Sequence, residues 1–131
     1  MHIRMTPEEF FDKCLLIPYG ETDFDNFGKP MDCYGLVYWF YKLCLGIELQ
    51  RAHVKKFSDA SEIKYIPVAS PEDGDVVYMV PLLNDGAPHV GVYWHGVVGH
   101  QTYEGFRANK LSTKKDSIRG YFHYVDARKD S

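Results

Sequence analysis

Several broad classes of protein are excluded by what this sequence lacks. No block or stripe of Lys and Arg occurs, and 15 basic against 18 acidic residues leave a net charge of −3. A nucleic-acid partner is therefore not expected. No apolar run is long enough for a bilayer: the longest, Tyr34 to Leu45, is short and contains Lys42. The opening MHIRMTPEEFFDK has neither an apolar h-region nor a small-residue cleavage site, so export by the general secretory route is not expected. Cysteine is scarce. Cys14, Cys33 and Cys44 cannot all pair, and no C-x-x-C or H-x-x-x-H spacing suggests a metal site. The expectation is a reduced protein made in a cytoplasm. Repeats, linkers and low-complexity tracts are also missing, so residues 1–131 are expected to form a single domain with one core.

What is present sorts into helices first and strands second. Thr6-Pro7-Glu8-Glu9 offers a cap, a proline at the first helical position and a Glu three residues after the cap, which predicts a helix to about Cys14. The turn-rich IPYGETDFDNFGKPM follows. The segment from Asp32 to Gly46 is apolar nearly all round, which predicts a central buried helix ending near the glycine. Residues 50–62 are charged and poorly patterned, as in a short helix or an irregular crossing. From Gly74 the chain turns to short Val- and Tyr-rich runs: DVVYMV, HVGVYW, VVGHQT and IRGYFHYV. Asn84-Asp85-Gly86 and His95-Gly96 lie between them as turns. A three- or four-stranded antiparallel meander with helices on one side, an α+β fold, is the expectation.

Cys33 stands at the first turn of the apolar helix, where unpaired N–H groups and the helix dipole favour an anion. That placement predicts a lowered thiol pKa and donors for an oxyanion. The ordinary use of a cysteine is inert packing, and Cys14 and Cys44, which lack this context, are read that way. If His95-Gly96 is a two-residue turn, Trp94 pairs with Val97 and Gly91 with His100. His89 and His100 then share a face as diagonal neighbours about 7–8 Å apart, and Gly91 leaves room between them. A thiol with two imidazoles suits a Cys-His-His arrangement of nucleophile, base and orienting partner. Zinc is the competing use of Cys33, His89 and His100, but short-spaced ligand pairs are lacking. His2, His53, His95 and His123 are read as structural or solvated.

DCYGLV after a PYG-containing turn, GDVVYM, HVGVYW and a histidine on the next strand, in that order over roughly residues 15–106, resemble the NlpC family of cell-wall cysteine peptidases. The resemblance implies a compact, papain-like fold. It implies Cys33 as nucleophile, His89 as general base, His100 as the polar residue that orients the base, and Tyr19 near the oxyanion. It places Asp32 beside the nucleophile in contact with substrate and makes Gly74-Asp75 and Gly91 structural positions. Tyr34 stands where many bacterial members have serine, which implies an aromatic substrate contact in place of one to a free amine. That aromatic, the PYGE and DCYGL motifs, Gly46-Ile47-Glu48-Leu49 and RGYFHYV look more like tail-assembly and tail-tip peptidases of long-tailed phages.

The resulting expectation is a thiol hydrolase of peptidoglycan stem peptides, favouring the D-glutamyl to diamino-acid bond. It would need no cofactor. It would be made in a host cytoplasm and carried in a virion tail with other tail proteins as partners, without nucleic acid or membrane. The alternatives are a catalytically silent structural module of a tail tip, a secreted antibacterial amidase, and a transferase or deamidase using the same residues.

Overall fold

The computed structural model describes residues 4–51, 64–80 and 89–125. The reading of residues 50–62, the Asn84-Asp85-Gly86 turn, and His2 and His53 fall wholly or largely outside them. Helix α1 (Pro7–Cys14) begins on the expected capping box, with Thr6 and Glu9 bonding each other's backbone N–H. Helix α2 (Cys33–Phe40) is buried at all eight positions. A π-helical turn (Tyr41–Leu45) continues it to Gly46, whose left-handed φ of 70° ends the element where the glycine predicts.

Six strands form one antiparallel sheet: β1 (Lys64–Val68), β2 (Val76–Met79), β3 (His89–Trp94), β4 (Val97–Thr102), β5 (Gly105–Lys110) and β6 (Ile118–Val125). Their order is β1-β6-β2-β3-β4-β5. The architecture is α+β as expected, but the meander is corrected. β6 does not follow β4; it crosses back to pair with β2 and β1. The two strands missing from the sequence reading are both edges. β1 carries Pro67, which a strand tolerates where no neighbour needs its N–H. β5 reads GFRANK, with Phe106 its one buried residue. Neither has the apolar alternation that marks a half-buried strand.

The sheet has two apolar faces. Val76, Val90, Val92 and Phe106 pack with α1 and α2 in the main core, and each buried aliphatic or aromatic side chain there contributes about 1.5–3 kcal/mol. Val77, Met79 and Val98 form a smaller cluster on the other face, with Tyr93, Leu111, Ile118 and Tyr121 against it. The alternation of β3 assigns His89, Gly91 and Tyr93 to this second face.

The start of α2 is held from three directions. Asp32 caps the helix through a 2.7 Å bond from the Gly35 N–H to Oδ1. Thr22 donates to the same oxygen at 2.9 Å and accepts from the Asp32 N–H at 3.0 Å. One residue earlier, Met31 bridges to Tyr19: the Gly20 N–H bonds the Met31 carbonyl and the Met31 N–H the Pro18 carbonyl. The PYG turn and the helix tip are thereby one unit. Gly35 is required by this packing, because a Cβ there would lie 2.1 Å from Thr22 Oγ1. Gly35→Ala is expected to push Thr22 off Asp32 and cost about 1–3 kcal/mol, read as a lower urea midpoint. An unchanged midpoint would show that the Thr22 contact is dispensable.

Candidate active site

Cys33 is the first residue of α2, and it meets the sheet at the start of β3. Its sulfur lies within reach of the Val90 N–H, which, with the N–H groups of Tyr34 and of Cys33 itself, favours the thiolate. Burial opposes them and is larger. Cys33 is 3% exposed, and burial pushes its thiol up to about 12, with a further upward push from the Asp32 carboxylate. The expected lowering by the helix tip is therefore corrected for this state. A helix N-terminus stabilises an anion by about 0.3–1 kcal/mol, whereas withdrawing an anion from water costs several kcal/mol. The resting sulfur is a thiol. Among the described residues all three cysteines are buried and none is in a disulfide, and Cys14 and Cys44 belong to the main core as expected.

The β3–β4 hairpin has the register that its turn predicts: Trp94 opposes Val97 and Gly91 opposes His100. His95 and Gly96 take φ of 47° and 84°, the paired left-handed conformation of a tight hairpin turn. His89 and His100 are both buried. His89 Nε2 lies 2.8 Å from His100 Nδ1, with the rings edge-to-face. A Cβ on Gly91 would come within 2.7 Å of the Gly99 carbonyl and 3.0 Å of His100 Cβ, so only glycine fits opposite the second imidazole.

A fourth residue was not foreseen. His100 Nε2 lies 2.7 Å from Asn109 Oδ1, because β5 pairs Val98 with Asn109 and His100 with Arg107, bringing the amide diagonally onto the ring. The available signal was the turn Thr102-Tyr103-Glu104-Gly105, closed by a 2.8 Å bond from Thr102 Oγ1 to the Gly105 carbonyl. It announces one more strand. The other nitrogen of His89, Nδ1, is buried with no hydrogen-bond partner among the described residues.

Burial also governs the histidines. It pulls His89 down to about 3, aided by His100 and Lys114. It lowers His100 as well, against the upward effect of Asn109, with Lys114 and Arg107 adding to the lowering. Burial thus favours the neutral form of both imidazoles, and the nearby cations add to it. Among the described residues no group of three or more His, Cys, Asp or Glu side chains is placed to hold a metal ion.

Of the other residues singled out, Tyr19 is brought to the site. Its hydroxyl is pushed above the ordinary tyrosine range, first by burial and next by its closeness to the ionisable Cys33 sulfur. Its ring lies 4.4 Å from that of Tyr103 at the tip of the β4–β5 hairpin. Asp32 sits beside Cys33 but spends Oδ1 on the helix cap. Tyr34 is turned away from any substrate: it is 2% exposed and its hydroxyl donates to the Gln50 carbonyl. The α2 backbone points this side chain into the core beside Phe24, so it cannot stack on a ligand from there.

The site gathers a buried thiol supplied with backbone N–H donors, a pair of neutral imidazoles joined by a hydrogen bond, and a tyrosine close to the sulfur. It also makes stability depend on pH from both sides. His89 is held below its ordinary 6.5, so the unfolded chain binds a proton that the folded one refuses, and stability falls as pH drops below about 6.5 toward 3. Cys33 is held above its ordinary 9.0, so the folded chain keeps a proton that the unfolded one loses, and stability falls again above about 9. Urea midpoints across this range should form a plateau with two descending limbs. His89→Gln should shrink the acid limb and leave the alkaline one; an acid limb of full size in that variant would contradict the assignment.

With this geometry in hand, the comparisons with known proteins agree among themselves. A protein from Staphylococcus aureus described as similar to lipoprotein, of the NLP/P60 family, superposes with a TM-score of 0.60 at 21% identity, over 92% of this chain and 43% of that one. The chain thus spans less than half the length of that relative. The NlpC/p60 domain of the peptidoglycan hydrolase SagA superposes with a TM-score of 0.58 at 18% identity, over 87% of this chain and 92% of that domain. No curated protein gives a sequence match. At these identities the structures establish the fold alone, two helices on an antiparallel sheet as in the NlpC/P60 domains. The profile of the NlpC/P60 family matches residues 19–121, well over half of the chain, and the protein therefore belongs to the NlpC/P60 family.

Proposed function

We propose that the chain is a thiol hydrolase that cleaves peptidoglycan stem peptides, with the D-glutamyl to diamino-acid bond as its target. The observation that carries this reading is the pair of buried imidazoles joined at 2.8 Å, with His89 Nδ1 left unpartnered next to the strand residue that touches the sulfur. A buried nitrogen without a partner costs free energy unless something else is meant to fill its lone pair. In this reading the group it accepts from during the reaction is the Cys33 thiol.

In this mechanism the Cys33 proton passes to His89 Nδ1 as the sulfur attacks the peptide carbonyl carbon. The carbonyl π pair moves onto oxygen, where the Cys33 N–H and the Tyr19 hydroxyl hold it. His89 then returns the proton to the departing amine nitrogen, leaving a thioester on Cys33. Water attacks that thioester, gives a proton to His89, and releases the carboxylic acid and the thiol. His100 holds the His89 ring and shares its charge. Asp32 acts by seating the helix tip and supplies a carboxylate edge beside the nucleophile. The peptidoglycan hydrolase among the structural relatives and the family match support the substrate class. The motifs shared with phage tail peptidases, PYGE, DCYGL and the GIEL ending, support a place in a virion tail.

The 3% exposure of Cys33 favours one second reading, a module that keeps the fold as a docking surface of a tail tip and turns nothing over. A muropeptide digest followed by mass spectrometry decides between them. Wild type should release trimmed peptides, and Cys33→Ser should fold normally yet lose cleavage by roughly a thousandfold or more. Equal product from both proteins would rule out the thiol mechanism, and no product from wild type would favour the silent module.

A further inference from the structure

We propose that Asn109 is a positioning residue that sets the tautomer of both histidines and so keeps His89 Nδ1 ready to accept a proton. This rests on the reading of Cys33 and His89 as nucleophile and base. A neutral imidazole has one N–H and one lone pair, and an amide oxygen can only accept. With Asn109 Oδ1 at 2.7 Å from His100 Nε2, that nitrogen carries the hydrogen. His100 Nδ1 is then an acceptor. The contact of 2.8 Å from it to His89 Nε2 requires the hydrogen on Nε2 of His89. The lone pair of His89 is thereby placed on Nδ1, the buried nitrogen with no partner among the described residues.

Every link in this series runs one way. If the amide turned over, its NH2 would donate to His100 Nε2, and His100 Nδ1–H would donate to His89 Nε2. His89 Nδ1 would then carry a hydrogen and could not take one from sulfur. One amide orientation gives a base and the other blocks it. The cations nearby do not replace this control, because Lys114 and Arg107 act on the charge of His100 and not on where a neutral ring keeps its hydrogen.

The test uses the full chain and two readouts. Long-range proton–nitrogen NMR of the imidazoles near neutral pH should show Nε2–H and a lone pair on Nδ1 in both rings of the wild type. Asn109→Ala should give mixed tautomers and lower kcat on muropeptides about tenfold with KM unchanged, the worth of one buried hydrogen bond. Asn109→Asp, whose ionised carboxylate only accepts, should keep the hydrogen on His100 Nε2 and the lone pair on His89 Nδ1. A wild-type spectrum with the hydrogen on His89 Nδ1, or an Asn109→Ala spectrum identical to wild type, would overturn the proposal. The spectra need no turnover, so a wild type that cleaves nothing would sink the hydrolase reading while the tautomer assignment is still decided. If Asn109→Ala fails to fold, the wild-type and Asn109→Asp spectra decide it.

Discussion

Two neutral imidazoles sharing a hydrogen bond inside the protein are the constraint on which the rest is arranged. Buried rings tolerate this only if each nitrogen has its proper role, one donating and one accepting, since charge is expelled from the site by desolvation. The tight turn at His95-Gly96 sets the register that makes the rings diagonal neighbours. The glycine at position 91 gives the second ring its space. The edge strand β5 brings the amide that ends the series. On the other side, Asp32, Thr22 and the Tyr19–Met31 bridge fix the tip of α2, whose Cys33 sulfur is within reach of the Val90 N–H on β3.

The electrostatics of the site favour storage of a neutral pair. Burial raises the thiol and lowers the imidazole, so the resting site holds a thiol and a free base. Backbone donors from Val90, Tyr34 and Cys33 are already in place to favour a thiolate at that sulfur. Such donors need no rearrangement at the moment of reaction, which is where fixed dipoles are most effective. Near the buried sulfur, Tyr19 lies against the exposed Tyr103 ring.

Much of this was legible in the sequence because it is local. The capping box at Thr6, the helix ending at Gly46 and the pairing across His95-Gly96 each depend on a few adjacent residues, and each appears in the structure as read. Cys33, His89, His100 and Tyr19 could be singled out for the same reason, the first by its position at a helix start, the two histidines by hairpin register and Tyr19 by motif. What escaped was decided at long range. β1 and β5 are edges with polar or proline-containing sequences, and β6 returns across the sheet to β2, a choice made by the core and not by any turn. Asn109 was hidden with its strand. The inward course of Tyr34 and the upward push on the Cys33 thiol come from burial, which a helix-tip argument leaves out.

The account turns on proton transfer from Cys33 to His89 Nδ1, and the rate of thiol alkylation measures it most directly. With iodoacetamide near neutral pH, followed by peptide mass spectrometry, Cys33 should be labelled faster than Cys14 and Cys44, and His89→Ala should slow Cys33 alone. Labelling of Cys33 no faster than the two core cysteines, or a rate indifferent to His89, would contradict it.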